Sequence, residues 1–466
     1  MTRNKLFLIG LLALLASCTP EIDKYEEIPA YEEGEESLTE HLARLGTNSN
    51  AFGRSIPGLD RSQNILFFNG NRLFNTSWVS APSITSGLDG LGPTFNAKAC
   101  ENCHLKDGRG TPIIKNGHLS KGFLLRLSLP GVNAYGGPLE VPGYGDQLQQ
   151  KSILNVPEEG QIEVRYETIT GAFKDGTPYE LLKPIYSIVD SNFGALNNVL
   201  TSPRVGTQTI GLGLIDAISE DSILQYQDIQ DLDKDGISGK ANYVWDVQKE
   251  SLSLGKFGWK ANQPNLRQQV GSALHGDIGL TNALFPDVNC PDPQNNCNEA
   301  PNGGAPEITE TQMDRLTFYQ SALAVPLRRN YKDEKVRHGK QLFDVLECFK
   351  CHRTDYTTGA YPFNPLLEGV TIKPYSDFLL HDMGEDLADN RPDYLANGRE
   401  WRTQPLWGIG MIFAVNKHTN LLHDGRARNI EEAILWHGGE ATTAKNAYTS
   451  LDKEKREALL SFLNSL

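Results

Sequence analysis

Two short strings limit what this chain can become. They are Cys100-Glu101-Asn102-Cys103-His104 and Cys348-Phe349-Lys350-Cys351-His352, each of the form C-x-x-C-H. Two thiols three residues apart can add to the two vinyl groups on one edge of a porphyrin. The next residue then lies under the iron, where its imidazole becomes a ligand. The pattern predicts two covalently bound haems c. Cys100 and Cys103 hold the first, with His104 as its proximal iron ligand; Cys348 and Cys351 hold the second, with His352. A zinc site would space two C-x-x-C pairs about 15–20 residues apart, whereas these begin 248 apart. A redox dithiol has no need of a following His in both copies.

The N-terminus reads as an address. Arg3 and Lys5 precede an apolar run, Leu6 to Ala16, too short to span a bilayer. It ends in Leu15-Ala16-Ser17-Cys18, which resembles a bacterial lipobox. Residues 1–18 are therefore expected to be a lipoprotein signal peptide, with lipid on Cys18. The alternative is an ordinary secretory signal. Residues 19–37 are acidic and read as a solvated tether. The expected location is the periplasmic side of a bacterial membrane or the cell surface, held by the lipid anchor. This agrees with haem c, which is attached outside the cytoplasm. The chain carries 44 Lys plus Arg against 58 Asp plus Glu, a net charge of −14. That balance argues against nucleic acid as a partner, since such binding needs a basic face.

With 466 residues there is room for two or three domains. The expected fold is mainly α, with two cytochrome c-like haem domains. Residues 38–330 form the N-terminal haem domain and 331–466 the C-terminal one. Asp333 to Leu346 and Ser450 to Leu466 show helical periodicity around the second motif. Phe123 to Leu129 and Ile162 to Tyr166 alternate as strands do, so a β-rich insertion is expected over about 119–190. Gly211-Leu-Gly-Leu-Ile215 and Gly408-Ile-Gly-Met-Ile412 suggest a repeat, 111 and 60 residues after the first Cys of each motif. Cys290 and Cys297 bracket a run of turn formers and suit a local disulfide. Asp231, Asp233 and Asp235, followed by Gly236 and Ile237, begin like a calcium-binding loop. Position twelve is Asn242 and not Glu, so the site is incomplete; a plain acidic turn is the alternative.

The run from Arg402 to Gly410, then His423-Asp424-Gly425-Arg426 through His437-Gly438-Gly439, resembles the C-terminal half of the di-haem cytochrome c peroxidase superfamily. From about residue 60 to the end, the chain more closely resembles the di-haem oxidoreductase family of peroxidases, also labelled thiol oxidoreductases. Gly92 to Cys100, Phe257 to Pro264, Pro301 to Gly304 and Leu379 to Gly384 carry that likeness. The resemblance implies a distal ligand for the second haem twelve residues after Gly425, which is His437; Met411 is its rival. Leu214 stands where Met411 stands in the repeat and cannot ligate, which argues for an open position on the first iron. His118 is the contrary candidate there, as a gating ligand. The resemblance also implies a distal acid, for which Asp216 and Glu220 are candidates. The activity implied is reduction of hydrogen peroxide, with electrons supplied by a small redox protein or a quinol-linked donor. The rivals are an electron-transfer cytochrome without catalysis and an oxidase modifying a protein or metal partner.

Overall fold

Each C-x-x-C-H string is cradled by two helices that touch at a glycine. In the computed structural model, which describes residues 28–85, 87–112 and 122–466, the first pair is Arg61–Asn75 and Glu310–Ser321. Asp60 and Thr309 open them with capping boxes, each side chain accepting from the third backbone N–H while a Gln reaches back. A Cβ at Gly70 would strike the Arg315 carbonyl, so glycine lets the two backbones meet. The second pair is Glu334–Val345 and Lys453–Ser465. Here Gly339 lies against the Ala458 carbonyl. Four residues after each glycine comes a phenylalanine. Phe74 lies 6.3 Å from the His104 ring and Phe343 6.2 Å from the His352 ring, centre to centre.

The two halves share a junction. Gly211 and Gly408 both take a left-handed conformation, with φ of +69° and +75°. A Cβ at Gly211 would meet the Trp407 ring, and one at Gly408 would meet Ile210. Each half thus places the residue before its own glycine against the glycine of the other. Gly213 then packs on the carbonyl of Ser321, and Gly410 on that of Asn464. These are the last residues, or nearly so, of the second helix in each pair.

The mainly α expectation is wrong. Helix accounts for 28% and strand for 19%. Among the described residues the strands form several small antiparallel sheets, not one layer. The largest ladder pairs Gln161–Ala172 with Pro178–Val189. Phe123–Val132 pairs with Leu200–Val205, so the β region continues to Val205, past residue 190. Further hairpins join Tyr243–Asp246 to Ser251–Leu254 and Leu380–Asp382 to Glu400–Arg402. The reason is local. With 44 Gly and 25 Pro helices stop early, and short ladders satisfy the backbone groups of the chain between them. No helix of the described residues is long and apolar enough to cross a membrane. Residues 1–18 with Cys18, the start of the tether, and His118 lie outside the described residues.

Candidate functional site

The second C-x-x-C-H string opens on a cavity of about 240 Å³. Its wall includes Cys348, Cys351, His352, Met383 and His437. His352 donates from Nδ1 to the Tyr375 carbonyl at 2.8 Å. His437, just past the helix Ile430–Trp436, donates from Nδ1 to the Ala433 carbonyl at 2.6 Å. A ring whose Nδ1–H is spent on a carbonyl presents the lone pair of Nε2, the arrangement a metal-binding imidazole needs. Burial lowers both rings, His352 to about 4, with His437 itself a further cause. Neutral imidazoles are the form that ligates. Met411 is buried in the core outside this wall.

The first string is built the same way on one side. His104 donates from Nδ1 to the Thr207 carbonyl at 2.6 Å, and burial lowers it too. Gly206 sits beside this ring; a Cβ there would come within 3.1 Å of Cε1. None of the four cysteines is disulfide-bonded, and burial pushes Cys100, Cys103 and Cys348 up to about 12. Two thiols and an imidazole with a free Nε2, met twice, fit a haem at each place, and His437 lines the same cavity as His352.

Sequence reasoning missed the polar side of the first centre. Asp277 lies on a widened helical turn, Leu274–Ile278, a form often found at functional sites. Its carbonyl accepts from Asn96 and Ala97, just ahead of Cys100. Its carboxylate accepts from Gln147 Nε2 at 2.9 Å and bears electrostatically on Cys100, Cys103 and His104. Gln149 holds Asn96 and the Gly276 carbonyl, while the backbone N–H of Gln149 rests on the buried Glu159. The acid sits 173 residues beyond His104, and no local spacing announces it.

Asp216 accepts from Tyr361 Oη at 3.0 Å and from the Leu266 N–H at 3.3 Å. Glu220 is exposed at the start of the helix Glu220–Leu224. In the acidic turn, ligand atoms of Asp231 and Asp233 gather with Asp228, which the loop pattern does not include. Asp235 instead faces Lys350 at 3.3 Å, and the Ile237 N–H donates to Asp235. Asp235 and Ile237 also reach the wall of the second cavity. Cys290 and Cys297 form a disulfide with Cα atoms 5.6 Å apart.

A family model described as "Di-haem oxidoreductase, putative peroxidase" matches residues 33–466. Among solved structures, hydrazine synthase of Kuenenia stuttgartiensis, pressurised with xenon, is similar at 12% identity. The match covers 90% of this chain and 91% of that one, with a TM-score of 0.33. No curated protein matches the sequence.

Proposed function

Because the chain belongs to the di-haem oxidoreductase family, we propose that it is a peroxidase with two unlike centres, electrons entering at His352 and passing to His104, where hydrogen peroxide is reduced. Haem c held by the two cysteine pairs supplies one-electron iron chemistry. The chain's own residues make the centres unlike. At the second, His352 and His437 line one cavity and would both hold the iron. At the first, His104 has a carboxylate and amides as neighbours. That asymmetry carries the reading.

Trp259 connects the two. It lines the second cavity and donates from Nε1 to the Val205 carbonyl at 2.9 Å. Two residues on, Thr207 holds His104. Converting peroxide to two waters consumes two electrons and two protons. Asp277 is the carboxylate placed to hold a proton at the first centre, with Gln147 orienting it; burial raises its pKa, which favours the protonated form. The reading includes thioether attachment at all four cysteines. It also includes a lipid anchor at Cys18 on the periplasmic side or the cell surface, a small redox protein or quinol-linked donor, and a calcium ion on the turn carrying Asp228, Asp231 and Asp233.

The test is an absorption and EPR spectrum of the matured protein, followed by peroxide titration with a reduced donor. One low-spin and one ligand-accessible high-spin haem, with donor oxidised in proportion to peroxide, is expected. Two six-coordinate haems that ignore peroxide would leave an electron-transfer cytochrome.

A further inference from the structure

A charge buried in protein needs a partner, because leaving it unpaired costs several kcal/mol. Most buried cations here obey. Lys260 pairs with Asp389, Arg204 and Arg391 with Asp393, and Arg426 with Asp424. Among the described residues four do not: Lys256 and Arg328, which rest on backbone carbonyls elsewhere, and two arginines in the wall of the second cavity. Arg402 donates from Nε to the Gly258 carbonyl and from Nη2 to Gln404. Its Nη1 is buried with no acceptor among the described residues. Arg109 donates to the carbonyls of Asn420 and Leu422 and, at 3.4 Å, to Gln208. Both are at least nine-tenths buried, and neither makes an ion pair among the described residues. The carboxylate each one feels is already engaged, Asp424 with Arg426 and Asp377 with His381. Burial lowers Arg109 to about 10 and Arg402 to about 9.

Both arginines lie beside Trp259. The Arg109 guanidinium is 5.1 Å from the Trp259 ring centre; the Arg402 guanidinium holds the carbonyl of Gly258, the residue before it, and the Arg402 backbone N–H donates to the Trp259 carbonyl at 2.9 Å. The acids of the same wall gather by the cysteines instead. Asp235 and Glu347 hold Lys350, which lies between Cys348 and Cys351 in sequence, and Glu440 reaches Cys351 through His381. A haem c has one edge of thioethers and another bearing two propionate carboxylates. We infer that Arg109 and Arg402 receive those propionates, so that the haem on His352 turns its carboxylate edge toward Trp259 and its thioether edge toward Cys348 and Cys351.

This rests on the haem reading of the second motif. A pyridine haemochrome count of two per chain keeps that reading even if the clamp fails. The experiment uses the full matured protein with Arg402→Gln, Arg109→Gln and Arg402→Lys. Potentiometry followed by EPR reads the low-spin haem. Each Gln variant is expected to shift that haem's redox equilibrium at least tenfold toward the oxidised form, about 59 mV for one electron, with the other haem moving less. Arg402→Lys keeps the charge and should restore most of the potential. It should still shift the propionate bending bands in the resonance Raman spectrum, because the forked donor is gone. Unmoved potentials in both Gln variants with two haems bound, or unmoved Raman bands in Arg402→Lys, would overturn the assignment. So would a wild-type potential that follows acetate concentration at fixed ionic strength, since a solution anion would then be filling the pair.

Discussion

Glu159 offers a prediction that can be worked through from its surroundings. Its side chain is completely buried. Oε2 accepts from the Gln149 N–H at 2.6 Å, and Oε1 from Gln294 Nε2 at 2.7 Å. Burial dominates all the same and raises its pKa from 4.5 to about 8. A raised carboxyl pKa means the folded chain keeps a proton that the unfolded chain has released. Stability is therefore fullest below about pH 4.5 and falls as pH climbs toward 8. At about 1.36 kcal/mol per pH unit, the gap between 4.5 and about 8 sets a ceiling of about 5 kcal/mol for the loss. Glu159→Gln removes the titration and keeps the shape. Its amide sets an N–H against one of these two donors, the Gln149 N–H or the Gln294 amide, which costs about 1–3 kcal/mol. The variant should be less stable than the parent near pH 5 and more stable near pH 8, so the two curves cross. Denaturant unfolding of the haem-loaded protein at half-unit steps of pH would show it. Parallel curves for parent and variant would mean that Glu159 does not titrate in this window, and the burial argument would fail.

Three further outcomes follow from the same structure. His437→Met should keep two haems while raising the potential of the second, because a thioether ligand favours ferrous iron; potentiometry that finds no rise would remove His437 from the ligand set. Gly339→Ala, though favourable to helix by about 1 kcal/mol, should lower stability by about 1–3 kcal/mol through its collision with the Ala458 carbonyl, seen as a melting temperature several degrees lower by circular dichroism. Lys260→Met strands the buried Asp389 and should cost about 3–5 kcal/mol, much of it regained in the double variant with Asp389→Asn; denaturant midpoints read both.

What could be read from the sequence was whatever chemistry writes in consecutive residues. Each C-x-x-C-H string stands by a helix pair that meets at a glycine, and the second lines a cavity. His437, found by counting from Gly425, does line the second cavity. The capped helices at Asp333 and Asp452 follow from their periodicity. Long-range placement was not legible. The partner of the Arg61–Asn75 helix lies beyond residue 300, with the β region in between. Asp216 follows the repeat as read, but its partner Tyr361, from the other half, could not be foreseen. Asp277 and Asp228 lie outside any motif and gain meaning only when folding sets them beside Asn96 and Asp231. The helical emphasis failed because the haem motifs draw attention to their flanking helices, whereas much of the strand content lies in the long ladders of residues 123–205.

The reciprocal seating of Gly211 against Trp407 and Gly408 against Ile210 has an evolutionary corollary. If the halves descend from one duplicated ancestor, neither copy has been able to drift alone at this spot. Enlarging either glycine demands trimming a neighbour encoded about two hundred codons away. Swapping one half for that of a distant cousin should fail here first, and viable chimaeras should be those that transplant the glycine together with its opposite number.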